Sequence, residues 1–168
     1  PVGADKTVTT NEDTAYALKV EDFGFSDPND NPDDTFTHVK ITSLETAGTL
    51  KLAGVDVTLN QEISVSQITS GLLVFTQADD ANGTGYDSFD FRVIDDGTGD
   101  NTDTTDRTIT INVTPVSDAP EGADNKVTTD EDTAYALKAD DFGFSDPKDN
   151  DTFTSVKYQS CFLRNCFR

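Results

Sequence analysis

The segment GADKTVTTNEDTAYALKVEDFGFSDPNDN begins at Gly3 and returns as GADNKVTTDEDTAYALKADDFGFSDPKDN at Gly122, 119 positions later. A chain that repeats itself in this way is built from one structural unit used more than once. A period of about 117 to 119 residues is far longer than the ~20–50 residues of a solenoid unit, so each repeat can hold a core of its own. Register is kept through Asn150, and two residues are lost where NPDDTFTHVK becomes DTFTSVK. The expected organisation is a complete repeat over residues 1–117, a linker over 118–123, a copy of the first third of the repeat over 124–158, and an unrelated tail over 159–168. The tail carries both cysteines, Cys161 and Cys166. No second Cys/His pair exists to complete a zinc site, so the tail reads as appended or read-through sequence and the repeat as a disulfide-free fold.

Apolar residues alternate with polar ones in KTVTT, TFTHVKITS, TLKLAG, GLLVFTQ, DSFDFRVID and RTITINVTP. In DSFDFRVID, Phe89, Phe91 and Val93 fall on one face while Asp90 and Arg92 fall on the other, which is the pattern of a half-buried strand. TAYALK and VDVTL add short strands. VEDFGF and SVSQITSG read as helical turns at most, the second ended by Gly71. Seven or eight strands with turn chemistry between them predict an all-β fold, an antiparallel sandwich of two sheets. Pro115 and Pro120 bracket the linker and predict a semi-rigid join, with successive repeats in line.

The formal net charge is -20, and 26 of the 32 acidic residues are Asp. Such a chain repels nucleic acid and anionic membrane, and it contains no run of about 18 apolar residues to span a bilayer. Eleven Phe and four Tyr argue for a packed core rather than an acidic disordered chain. A solvating surface accounts for scattered carboxylates. Asp clustered in loops is different, because like charges crowd one another until a cation intervenes, and oxygen-rich loops suit calcium.

Catalytic arrangements fail on inventory. His38 is the single histidine, it stands in mid-strand, and its counterpart in the second copy is Ser155, so Ser-His-Asp and Cys-His chemistry lack a base. There is no phosphate-binding glycine loop, and an enzyme is not expected. Asp27, Asn29 and Asn31 imitate the start of an EF-hand, but Pro32 stands where the loop needs Gly and His38 where it needs Glu. DDGTGDNTD lacks the nonapeptide repeat of calcium-binding β-rolls. What remains is calcium held between loops remote in sequence.

TTNEDTAYAL, DFGFSDPND, ANGTGYDSFDFRVIDDG and TINVTPVSDAP, in this order and spacing, resemble the successive signatures of bacterial cadherin-like tandem repeats from large RTX-type surface adhesins. The likeness covers residues 3–157, and SDAP also resembles the linker of animal cadherins. It implies an immunoglobulin-like sandwich, calcium at the domain junctions and an extracellular place on a bacterial surface. Carried onto this chain, it gathers Glu12, Asp13, Asp79, Asp80 and Asp118 at the carboxyl-terminal end of the sandwich and Asp27, Asp30 and Asp96 at the other. The junction would then join the first set to Asp146 and Asp149 of the following copy.

The function so implied is that of a calcium-stiffened extender in an adhesin, whose partners are the neighbouring repeats, contributing to cell adhesion or biofilm attachment. The alternatives are a carbohydrate-binding module and a homophilic adhesive domain. A chain without Trp lacks the usual platform for a sugar. The second copy adds another expectation: opening strands without the later strands that cover them are either disordered or exchanged with a second molecule.

Overall fold

The structure, a computed structural model, describes residues 1–29, 32 and 34–157. It divides into two units, Pro1–Val116 and Ser117–Arg168. Asp30, Asn31 and Asp33 lie outside the described residues, as do Tyr158 and the tail with its two cysteines.

Unit 1 is all-β. In chain order it holds β1 (Lys6–Asn11), β2 (Tyr16–Ala17), a 3₁₀ turn (Val20–Phe23), β3 (Phe36–Ile41), β4 (Thr49–Leu52), β5 (Val55–Asp56), β6 (Glu62–Ser64), a short helix α1 (Val65–Thr69), β7 (Leu73–Thr76), β8 (Gly83–Asp95) and β9 (Arg107–Thr114). One sheet has the order β1-β9-β8-β3-β6 and the other β2-β7-β4-β5. Every pairing is antiparallel except that of β1 with β9, which runs parallel from Lys6↔Ile109 to Asn11↔Thr114. Both sheets turn their apolar faces into one core. Phe89, Phe91, Val93, Ile109, Ile111, Val39 and Ile41 of the first sheet are fully buried with Leu50, Leu73 and Phe75 of the second.

The alternation of DSFDFRVID is realised as drawn, with Phe89, Phe91 and Val93 inside. The strand reaches further than the alternation suggests, starting at Gly83, because Gly83 pairs with Val113 across a register shift before Asp87↔Ile111. β6 is an element that no pattern predicted. Three residues are too few to show a period, and Ile63 is buried only because β6 lies against β3. In α1, Gln67 N–H donates to Ser64 Oγ at 3.3 Å and Ser64 N–H donates to Gln67 Oε1 at 2.9 Å, a reciprocal cap that starts the turn.

Two buried carboxylates tie loops to this frame. Asp87 is in phase with Phe89 and Phe91 and so is carried inward. It accepts N–H bonds from Thr46 at 3.0 Å, Ala47 at 3.0 Å, Gly48 at 2.7 Å and Ser88 at 2.9 Å. Asp103 accepts from Gly3 N–H, Thr105 N–H and Arg107 Nε, each at 2.9 Å, and so clasps the start of the chain. Burial opposes ionisation of both, but the donors overcome it, and both carboxyls titrate below the ordinary carboxylate range.

Unit 2 repeats the opening frame of unit 1 bond for bond. Tyr16 Oη donates to Asp22 Oδ2 at 3.1 Å, and Lys19 N–H donates to the same oxygen at 2.9 Å. Tyr135 Oη and Lys138 N–H do the same to Asp141 Oδ2 at 3.1 and 2.8 Å. The 3₁₀ turn returns as Ala139–Phe142. Gly24 and Gly143 end the two turns at φ of 56° and 55°, where a side chain is strained, and an added Cβ would lie 2.7 Å from Ala4 Cβ or Ala123 Cβ. Among the described residues unit 2 has no strand.

Replacing Asp87 with Ala strands four N–H groups, so unfolding of D87A in urea is expected to show a loss of roughly 2–4 kcal/mol. Acid unfolding follows from the direction of the shifts. Folded-state values held below the unfolded value of about 3.9 stabilise the fold above that pH and lose the contribution as pH falls through the folded values. The parent melting temperature is therefore expected to drop steeply below about pH 4, and D87N to show a shallower acid limb from a lower plateau.

Candidate functional site

β1 and β9 run in parallel, and β8 runs against β9 for its whole length of 13 residues. At ~3.3 Å per residue the two ends of β8 are roughly 40 Å apart. Loops leaving the strands are thereby sorted to two ends of unit 1, and the carboxylates go with them.

At the end where β1 and β9 finish, Glu12 is buried and clamps two loops. Val116 N–H donates to its Oε1 at 2.5 Å and Asn82 Nδ2 to its Oε2 at 2.8 Å. Asp13 follows at φ 59° and Asp80 stands at φ 57°, with carboxylate oxygens of the two within 4.8 Å of each other. Asp79 is exposed beside Asp80 and outside that grouping.

At the opposite end, Asp27, Asp34 and Asp95 bring carboxylate oxygens within 4.8 Å of one another. The loop after Asp27 folds back on it, and Asp34 N–H donates to Asp27 Oδ2 at 2.9 Å. Gly97 N–H donates to Asp95 Oδ1 at 3.0 Å, and a Cβ on Gly97 would lie 2.2 Å from Asp34 Oδ2. The α-ammonium of Pro1 lies between the pair, 3.5 Å from Asp27 Oδ1 and 3.5 Å from Asp95 Oδ2. Burial would lower the pKa of this amine, but the two carboxylates prevail and raise it. This pocket of carboxylates holds a cation.

Unit 2 builds the same loop. Asp146 accepts from Asp149 N–H and Asp151 N–H, both at 3.2 Å, and the three carboxylates converge within 4.8 Å. Asp146 corresponds to Asp27 and, across the two-residue gap, Asp151 to Asp34. Asp118 N–H donates to Asp149 Oδ2 at 2.5 Å, Ser117 Oγ to Asp151 Oδ2 at 3.3 Å, and Lys148 Nζ is 3.8 Å from Asp118.

Of the residues singled out in the sequence, Glu12, Asp13 and Asp80 meet at one end, Asp27 joins the triad at the other, and Asp118, Asp146 and Asp149 belong to unit 2. Asp96 is placed beside the triad rather than in it, accepting Thr35 N–H at 2.6 Å on an exposed loop. Asp30 lies outside the described residues. Asp95, Asp34 and Asp151 were not foreseen. The signal for Asp95 was present, since the alternation that buries Phe89, Phe91 and Val93 puts residue 95 on the same face and residue 96 on the other. For Asp34 and Asp151 it lay in the alignment of the two copies across the gap.

The donor set consists of hard oxygens. Oxygens 2.3–2.6 Å from a calcium ion are separated by at most about 5 Å, and the triads keep within that limit. No family model, curated protein or solved structure matches the chain.

Glu12 tests which contacts organise the first of these ends. An amide at residue 12 turns a donor toward either Val116 N–H or the Asn82 amide, so E12Q is expected to lose about 1–3 kcal/mol in urea unfolding. Faster hydrogen exchange at the Val116 amide, with Ile111 unaffected, would place the loss at this clamp.

Proposed function

We propose that the chain is a calcium-binding extender segment from a large bacterial surface adhesin, in which cadherin-like repeats with an immunoglobulin-like sandwich follow one another outside the cell. The observation that carries this reading is the recurrent carboxylate loop. Asp27 with Asp34, and Asp146 with Asp151, place converging oxygens at the same position of two copies, and in unit 1 two of them already hold an ammonium group.

Asp27, Asp34 and Asp95 would hold one ion, and Asp146, Asp149 and Asp151 its counterpart. Asp13 and Asp80 offer further oxygens at the other end of unit 1. Bound calcium would supply positive charge and a rigid set of oxygen contacts, relieving carboxylate repulsion. The chain's own part is to preset those oxygens. Backbone N–H groups of Asp34 and Gly97 orient Asp27 and Asp95, so little conformational freedom remains to be lost on binding. A stiff end loop beside a proline-bracketed linker suits a spacer that must transmit position rather than perform chemistry.

A ligand that binds the folded state alone stabilises it by mass action, about 2.7 kcal/mol at a hundredfold excess over Kd. Millimolar calcium at fixed ionic strength is expected to raise the melting temperature, and chelator to reverse it. The double variant D27N/D95N should lose most of the increment assigned to unit 1, as calorimetric titration with calcium would register. A parent melt indifferent to calcium would return the carboxylates to a solvating role. Gly97→Ala gives a gentler test: its Cβ displaces the Asp34 carboxylate without touching the core, so the melt in chelator should stay within about 1 kcal/mol of the parent while the calcium response falls.

A further inference from the structure

Unit 2 carries a preformed docking face, and the chain itself contains a record of what covers it. In unit 1 Val8 and Leu18 are 5% and 1% exposed, and Phe23 is fully buried. Their counterparts Val127 and Leu137 are 40% and 64% exposed, and Phe142 is half-buried. The local frame around them is the same. Thr129 Oγ1 donates to Thr133 O as Thr10 Oγ1 does to Thr14 O. The bridge Glu121↔Ser145 repeats Val2↔Ser26, and Ala123 N–H donates to Phe142 O as Ala4 N–H does to Phe23 O, both at 3.2 Å. What differs is the cover. β1 lies along β9 and β2 along β7, whereas the matching residues of unit 2 form no strand among those described.

We propose that residues 121–157 dock into unit 1 of a second copy of this chain, displacing its residues 2–40 and pairing with its β7, β8 and β9. The occupant is specified by the duplication. Val8, Thr10, Glu12, Tyr16, Leu18, Phe23 and Phe25 meet their partners from positions that Val127, Thr129, Glu131, Tyr135, Leu137, Phe142 and Phe144 reproduce. Asp130 replaces Asn11, whose Oδ1 accepts from Thr114 Oγ1 at 2.6 Å, and a carboxylate accepts equally well. Ala139 replaces Val20, a partly buried residue at the core edge, so each domain prefers its own opening segment slightly. Exchange therefore swaps like for nearly like and is governed by protein concentration.

The same chain is a poor occupant. Because β1 is parallel to β9, Thr114 ends beside Asn11, while Gly122 must reach the place of Gly3, about eight residues or roughly 26 Å back along the strand. The eight links from Thr114 to Gly122 span at most roughly 26–29 Å, which leaves no length to reverse direction. A second molecule has no such limit.

The register Thr9↔Asn112 supplies the test. In the exchanged dimer Thr128 takes the place of Thr9, so the full chain with T128C and N112C, in a C161S/C166S background, is refolded from denaturant at low and high concentration and oxidised. The pair T9C/N112C, closed within one molecule, sets the yield of cross-link that the geometry permits. Expected are monomers in dilute protein and, at high concentration, dimers by light scattering that carry the 112–128 link between chains. L137D sits on an exposed face in the monomer and a buried one in the exchanged dimer, so it should leave the melt unchanged and reduce the dimer roughly tenfold or more. Monomers at every concentration, a 112–128 link within one chain, or dimers that do not form the link would each overturn the proposal.

Discussion

The parallel pairing of β1 with β9 is the contact on which unit 1 depends. It joins residues about a hundred positions apart, places Val8 against the inner face of the larger sheet, and brings Asn11 beside Thr114. A first strand antiparallel to the last would return the chain to its starting end. The parallel arrangement makes the chain enter unit 1 at one end and leave at the other, so the carboxylates near its entry and those near its exit stand apart by the length of β8. Asp103 adds to this closure from the loop before β9, bonding Gly3 N–H and Arg107 together.

The two copies separate local from tertiary causes within one molecule. Everything that depends on neighbours within about six residues is reproduced in unit 2: the 3₁₀ turn, its left-handed glycine, the carboxylate that accepts from the preceding Lys N–H, and the tyrosine hydroxyl on the same carboxylate. Burial pushes the Tyr16 phenol up to about 12, with Asp22 adding to the rise, and Tyr135 beside Asp141 is raised for the same reasons. Each phenol stays a proton donor at neutral pH. Strand formation is not reproduced, because the hydrogen bonds of β1 and β2 are made to β9 and β7 and cannot be made without them. Aromatic packing lies between the two cases. Phe25 stacks on Phe36 at 4.7 Å, while Phe144 meets Phe153 edge-on at 5.3 Å.

A chain with a net charge of -20 must dispose of many carboxylates. Unit 1 buries several and gives each one backbone donors: Asp87 has four N–H groups, Asp103 two and an arginine, Glu12 one and an asparagine amide. Fixed peptide dipoles stabilise these charges at positions where lysines are too few to pair with them. The Asp27, Asp34 and Asp95 group differs in kind. Its members face one another as well as the backbone, and such an arrangement calls for positive charge.

By itself the sequence determined the features that rest on short-range repetition. Alternation marked seven of the nine strands closely or in outline and oriented Phe89, Phe91 and Val93, and the duplication marked the opening frame twice. It also sorted Glu12, Asp13 and Asp80 to one end and Asp27 to the other, through the likeness of its motifs to cadherin-like repeats. Only the tertiary structure decided the rest. β6 exists because β3 passes beside it. Asp95 rather than Asp96 enters the triad, because β8 continues its inward phase to its last residue, and Asp34 enters because the loop after Asp27 closes on the Asp27 carboxylate. Val8 and Val127 have the same side chain in nearly the same local sequence, and one is buried while the other is exposed. The difference is the presence of β9, a strand about a hundred residues away whose pairing no local pattern encodes.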